Sequence, residues 1–130
     1  MHDIKCLTVL SADRVWREDN GKFGMAGIFE RLNALEYPSQ IMPFFLYVRL
    51  SDVNAGKHEL ITRVIAENEL ADIASVTLTF ETPEDAAVFQ IHYPIPPLQL
   101  HNPGDYAVHL SIDGVEIAKH IIRAFVVGGA

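Results

Sequence analysis

Histidine is the residue whose spacing in this chain points most directly to chemistry, because its neutral imidazole ring binds metal ions. The sequence of 130 residues contains six histidines. His109 and His120 lie in the two strands of a predicted C-terminal hairpin, where they are diagonal neighbours on the outward face. His92 or His101 is the available third ligand for a zinc site. We favour solvent-facing histidines on an exposed sheet, and the alternative is a small metal-dependent hydrolase that uses His109 and His120.

Other residues with nucleophilic or acid–base chemistry fit structural roles better. Cys6 is the single cysteine and lies in an apolar segment, where burial predicts an unreactive thiol. Glu81, Glu84 and Asp85 form an acidic group at a predicted turn, where solvated carboxylates are expected. The chain also lacks the motifs of nucleotide-binding loops, serine hydrolases and zinc proteases. The sequence therefore favours a protein that is not an enzyme and needs no cofactor.

An apolar, proline-rich segment at 94–100 favours a binding function. The predicted docking or dimer surface consists of Ile95, Leu98, Leu100, Phe45 and Tyr47. The alternative is an edge strand that its prolines protect from pairing. We expect a protein partner or a second copy of the chain at this surface. A carbohydrate- or ligand-binding protein is a further alternative, which requires Trp16 and Tyr47 to share an exposed concave face.

Composition narrows the possible partners. The formal net charge is −7, from 17 acidic and 10 basic residues, which argues against nucleic acid or an anionic membrane as the main partner. A single cysteine excludes an internal disulfide. The first residues do not form a signal-peptide core, and no window predicts a membrane span, so we expect a cytoplasmic protein. With 49% hydrophobic residues, we expect residues 1–130 to form one domain.

The segment 97–127 carries the clearest structural signal, a hairpin with the turn Asp113-Gly114. The predicted opposite pairs are Ile112–Val115, Leu110–Ile117, Val108–Lys119 and Tyr106–Ile121. This register places Lys119 on the apolar face, where an unpaired charge is unfavourable. Further along the strand, the apolar positions change parity. We therefore predict a β-bulge between about Ala118 and Ile122.

The rest of the chain predicts further strands separated by turns. Asn20-Gly21 predicts a second hairpin, and the pattern at 44–50 predicts a strand with two apolar faces. Thr82-Pro83 fits either a turn before a strand or the start of a helix at 83–91, and we favour the turn. Seven to eight strands at regular spacing predict an all-β, antiparallel two-sheet sandwich of immunoglobulin-like form. An α+β fold with the helix at 83–91 is the alternative.

Two resemblances support this interpretation. The segment Pro103-Gly104-Asp105-Tyr106 and the strand after it resemble the late strands of immunoglobulin-like and fibronectin-III-like domains, in which a tyrosine hydroxyl binds nearby backbone. The wider pattern, with 21–29, Tyr37-Pro38, the strand at 44–50 and 103–106, is similar to an uncharacterised family of small bacterial β-sandwich domains. The resemblance implies a fold and no catalytic residues, so function stays open.

Overall fold

The computed structural model describes residues 3–126, and most of this range is extended strand. The strands within it are β1 (Lys5–Arg17), β2 (Phe23–Phe29), β3 (Arg31–Ala34), β4 (Ser39–Ile41), β5 (Phe44–Val53), β6 (Gly56–Ala66), β7 (Ala71–Thr82), β8 (Ala86–Ile95), β9 (Leu98–Leu100), β10 (Gly104–Ile112) and β11 (Val115–Val126). These eleven strands exceed the predicted seven to eight, because β3, β4 and β9 are only three or four residues long. Strands this short leave no alternation to detect in a sequence.

The all-β fold class is confirmed for residues 3–126. The helix considered at 83–91 is wrong, because β8 occupies most of that segment as an extended strand. Phe89 and Ile91 follow its alternating pattern, while the turn at 83–85 separates it from β7, as predicted. No helix in this range has the length and hydropathy needed to cross a bilayer.

The strands of residues 3–126 are arranged in two larger sheets and one small one. The four-stranded sheet has the order β2-β1-β5-β8, and the five-stranded sheet has the order β3-β11-β10-β6-β7. The third sheet pairs β4 with β9. Neighbouring strands are antiparallel except β3, which runs parallel to β11. β7 and β8 follow each other in the chain and end different sheets, so both edges flank the turn at 83–85.

The residues at the turns favour the two hairpins that the sequence predicts. Asp113 and Gly114 have φ values of 51° and 85°, and both central residues of a type I′ turn need a positive φ. Ile112 pairs with Val115 across this turn, as predicted. The hairpin at Asn20-Gly21 is also confirmed, since β1 and β2 pair antiparallel on either side of it.

The predicted bulge is present, but it lies closer to the turn. Ile117 is the extra residue, because the register shifts between the pairs at Ser111 and Leu110. Leu110 therefore faces Ala118, and the predicted pairing of Leu110 with Ile117 is wrong. The shift also moves Lys119 to the solvent-facing side, where its ammonium lies 2.8 Å from the carboxylate of Glu67. Lys119 does not enter the core.

A single large core cluster receives side chains from both larger sheets. β5 is central to the four-stranded sheet, while β6 and β10 are central to the five-stranded one. Their alternating inward residues are almost completely buried. The fully buried members include Phe44, Leu46, Val48, Leu50, Leu60, Val108 and Leu110. The edge strands β7 and β8 contribute partly buried side chains to the same cluster, and Phe80 stacks on Phe89 with ring centroids 5.0 Å apart.

Candidate functional site

The structure separates the two histidines of the predicted metal site. The bulge places His109 opposite Lys119, while His120 lies opposite the buried Val108. Because successive residues of a strand point to opposite faces, His109 faces solvent and His120 faces the other sheet. The pairing on a common outward face is therefore wrong. Within residues 3–126, no group of three or more His, Cys, Asp or Glu side chains is arranged to hold a metal ion.

His120 instead contacts Ser11 of the opposite sheet, with 3.1 Å between Nε2 and Oγ. The Ser11 hydroxyl donates its hydrogen to the carbonyl of Phe29, so Nε2 must be the donor in the contact with His120. Burial lowers the pKa of His120, although the charge of Glu30 opposes this effect. A neutral ring that donates to Ser11 cannot remove its proton. Ser11 is also fully buried, so the pair is a structural link between the sheets.

The side chains predicted to form an interaction surface lie mostly in the interior. Ile95, Leu98 and Leu100 are at most 3% exposed and belong to the large core cluster. The prediction of a surface at 94–100 is wrong for these residues, because Ile95 points inward at the end of β8 and the short β9 turns its two leucines inward. Phe45 is partly buried beside Tyr47, on the other face of the four-stranded sheet.

Trp16 and Tyr47 do not share an exposed concave face. Tyr47 is only 6% exposed, and its hydroxyl donates to the side-chain carbonyl of Gln90. Trp16 is 43% exposed, but its indole ring lies directly over the backbone of Gly24. The geometry that a carbohydrate site requires from these two rings is therefore not present.

The remaining candidates for acid–base or nucleophilic chemistry have structural positions. Burial raises the pKa of the Cys6 thiol, against a weaker opposing effect of its contact with the Thr8 carbonyl. A raised pKa leaves the thiol protonated and poorly nucleophilic. Of the acidic group at the turn, Asp85 accepts a hydrogen bond from the backbone of Ala55 at 2.7 Å, while Glu81 and Glu84 are exposed.

His58 is a buried titratable group that the sequence did not single out. Its Nδ1 lies 2.7 Å from Asp113 Oδ2, and its Nε2 lies 2.7 Å from the carbonyl oxygen of Asn54. Both neighbours are acceptors, so the ring satisfies both only as an imidazolium. Burial lowers the pKa of His58, but the bonds to Asn54 and Asp113 and the Asp113 charge together raise it above 6.5. With both nitrogens occupied, His58 holds the hairpin turn in place.

The feature with the clearest capacity for binding is the outer edge of β7. In the described part of the chain, β7 pairs only with β6, so the other side of its backbone has no strand partner. Natural edge strands are usually short, bulged, or protected by lysine or proline. The stretch Ala74–Phe80 has no charged residue and no proline, and the bulge at Ile73 precedes it. This regular, seven-residue edge is open to pairing.

Side chains along this edge alternate between the two faces of the sheet. Val76, Leu78 and Phe80 point inward but remain partly exposed, because β7 has no hydrogen-bonded strand on its outer side within residues 3–126. β9 comes within 8 Å of β7 between Cα atoms but does not pair with it. Thr77 and Thr79 are exposed on the outward face. A strand added here would cover apolar side chains on one face and hydroxyl groups on the other.

Charge around the edge is locally balanced, although the chain carries a net charge of −7. Arg63 of β6 donates to both carboxylate oxygens of Asp72, each at 2.9 Å. Lys57 lies directly opposite Glu81 in the ladder between β6 and β7. Each acidic residue of β7 therefore has a basic neighbour on β6, and the segment between them is uncharged. The sequence shows this segment as a strand, but only the strand order shows that it is an edge.

Comparison with known proteins gives a family and no function. A family model described as a family of unknown function (DUF6941) matches residues 7–124. No curated protein matches the chain. The matched range includes β7, both of its acidic residues and the neighbouring strand β6, so the open edge lies within the region that the model describes.

Proposed function

The chain belongs to this family of unknown function, and we propose that it is a protein-interaction module that pairs an extended strand of its partner with the open edge of β7. In this mode of recognition, main-chain hydrogen bonds supply affinity and the alternating side chains supply specificity. The observation that carries the proposal is the stretch Ala74–Phe80, which is regular, uncharged and unpaired on one side within the described residues.

The apolar side chains at this edge support the same proposal. Val76, Leu78 and Phe80 already pack against the core on one side and are partly exposed on the other. An added strand would remove this remaining apolar surface from water, which stabilises a complex by roughly 25 cal/mol per Å². The same added strand would form hydrogen bonds with the free backbone edge and cover this apolar surface.

We infer in addition that the two larger sheets form an immunoglobulin-like sandwich. The shared core cluster of these sheets supports this inference. So does Tyr106 at the start of β10, whose hydroxyl donates to the carbonyl of Asn102 at 2.5 Å, as in the tyrosine corner of such domains. In a sandwich, the edge strands β7 and β8 would border one lateral side, where strand addition does not disturb the core.

Site-specific photo-crosslinking in the organism that encodes the chain tests the proposed function. A photoreactive phenylalanine derivative replaces Thr79, which is exposed on β7. The matched control carries the same group at Val115, which is 65% exposed and separated from β7 by two strands. We expect a discrete crosslinked species from position 79 and none of the same mass from position 115.

The substitution Thr77→Lys provides the specificity control for this experiment. Thr77 is exposed, so lysine is compatible with the folded chain, but it places a charge in the middle of the edge. The crosslink from position 79 should decrease at least about tenfold in this background, which corresponds to about 1.4 kcal/mol. Equal crosslinking from both positions, no crosslink from position 79, or a crosslink that Thr77→Lys leaves unchanged would overturn the proposal.

A further inference from the structure

The edge of β7 is complementary to itself, and we propose that its partner is a second copy of this chain, with β7 pairing antiparallel to β7 about a twofold axis at Thr77. This inference rests on the proposed function, because it names the partner of the same edge. The two five-stranded sheets would then form one continuous sheet across the dimer. Such a contact is isologous, because the same residues contribute from both copies.

Symmetry and the bulge determine the register. A twofold axis perpendicular to the sheet keeps each face continuous, and it passes midway between one residue and the same residue of the other copy. The regular uncharged stretch after the bulge is Ala74–Phe80, and its central residue is Thr77. Pairing about Thr77 places Ser75 opposite Thr79 on the outward face. Thr–Thr and Thr–Ser neighbours stabilise antiparallel pairs through their hydroxyl groups and methyl packing.

The inward face of the same pairing is apolar. Val76 of one copy lies opposite Leu78 of the other, and Ala74 lies opposite Phe80. These side chains are partly exposed at the edge of the core cluster. Dimerisation would therefore extend both cores across the new strand pair, instead of bringing polar groups against apolar ones.

The absence of charge in the paired stretch 74–80 permits this contact in an otherwise acidic chain. Two copies with a net charge of −7 each repel one another in most orientations. The paired stretch 74–80 contains no carboxylate, but the bulge at Ile73 places two residues opposite one, so Asp72 of one copy comes near Glu81 of the other at each end. Arg63 and Lys57 further reduce the negative charge at the two ends of the paired stretch.

The other edges of the two larger sheets fit a second copy less well. β8 contains Pro94, which has no N–H group, and its Gln90 and His92 contact Tyr47 and Phe23. β2 is interrupted at Gly27, whose φ of 69° departs from strand geometry, and β3 has only four residues. Among the edges of these sheets in residues 3–126, β7 offers the longest regular stretch without proline, at 74–82.

Sedimentation equilibrium of the purified full chain measures the association directly. We expect a concentration-dependent doubling of the 14.5 kDa mass for the wild-type protein. Thr77→Lys places two lysines opposite each other at the axis and should weaken the dimer at least tenfold. Val115→Lys adds the same charge on a distant exposed site and should leave the dissociation constant within twofold of wild type. Circular dichroism confirms that each variant is folded.

A pair of double variants tests the register. Ser75→Asp with Thr79→Lys places opposite charges across the twofold axis and should retain the dimer. Ser75→Lys with Thr79→Lys places like charges there and should dissociate it, although this variant reduces the net negative charge of each copy. A register centred on another residue would not place positions 75 and 79 opposite each other, so equal behaviour of the two variants overturns the proposed pairing.

The outcomes separate this inference from the proposed function. A monomer at all concentrations, combined with a crosslink from position 79 to a different protein, overturns self-pairing and retains strand addition at β7. A monomer without that crosslink overturns both. A dimer that Thr77→Lys and the double variants leave unchanged uses another surface and overturns the inference. If Thr77→Lys does not fold, the two double variants still decide the register.

Discussion

Replacing Asp113 with asparagine tests the charge assignment of the buried His58. Asparagine keeps the size of the side chain and tolerates the positive φ at this turn position. It still offers an oxygen to the backbone N–H of Glu59, which now donates to Asp113 Oδ1 at 2.9 Å. The substitution therefore removes the negative charge beside His58 and replaces the acceptor at Nδ1 with an amide NH2 donor, which matches a neutral ring and not an imidazolium. We expect a destabilised protein whose loss of stability depends on pH.

The contacts of the pair set the expected magnitude. His58 is 8% exposed and Asp113 is 49% exposed, so solvent weakens an otherwise favourable charged hydrogen bond. Hydrogen bonds to charged groups contribute about 1.5–3 kcal/mol, and exposure of one partner reduces this to about 1–2 kcal/mol. Asp113→Asn should lower the free energy of unfolding by that amount where both groups are charged.

The pKa directions define the pH range of this effect. Since the pKa of His58 is raised above 6.5, its contribution is fully present below 6.5 and is lost as the pH rises through the folded value. Burial raises the pKa of Asp113, but the Glu59 backbone and His58 together lower it below 3.8. Its contribution is therefore present above 3.8 and is lost as the pH falls through the folded value. The pair stabilises most between these limits.

Urea unfolding of wild type and Asp113→Asn at about pH 5.5 and about pH 9 measures the difference. We expect the gap between the two proteins to be largest at the lower pH and to shrink at the higher pH, where neutral His58 has only one N–H group for two acceptors. Comparing the proteins with each other cancels the titration of the other histidines. A gap that is equal at both pH values, or larger at about pH 9, would refute the imidazolium assignment.

Two further substitutions test the core and the link between the sheets. Leu110→Ala removes a fully buried side chain and should lower the free energy of unfolding by about 2–5 kcal/mol in urea titration, whereas the exposed Val115→Ala should change it by less than about 0.5 kcal/mol. Ser11→Ala leaves the Phe29 carbonyl and the His120 Nε2 without their shared partner, so we expect a loss of about 1–3 kcal/mol by the same measurement. Unchanged stability in Ser11→Ala would contradict the role of this pair as a structural link between the sheets.

Local sequence patterns predicted much of the fold. The Asp113-Gly114 turn, the alternation of β10 and the change of parity in β11 were enough to infer both the hairpin and its bulge. Their signals are local, because turn geometry and alternation depend on neighbouring residues. The bulge position was wrong because one extra residue can be accommodated at several places in a strand. Because the extra residue is Ile117, which precedes His120, the His120 side chain faces the other sheet and not solvent.

The candidate site could not be predicted from the sequence, because the alternation within a strand does not show which strands are its neighbours. The sequence of β7 shows a strand, but its openness follows from the order of strands in the sheet. The apolar 94–100 segment showed the opposite problem, since Leu98 and Leu100 are equally apolar in a core or on a binding surface. His58 was missed because its partner Asp113 is 55 residues away and only pairing of β6 with β10 brings them together.

The order of strands in the five-stranded sheet has a consequence for synthesis of the protein. β10 and β11 are the last of the described strands to be translated, yet they lie between β3 and β6. Until Gly104–Val126 has left the ribosome, β6 exposes the edge that β10 later occupies, and β3 has no ladder partner within the described residues. Exposed strand edges in a nascent chain favour aggregation. This sheet is therefore completed only after its last two strands have emerged.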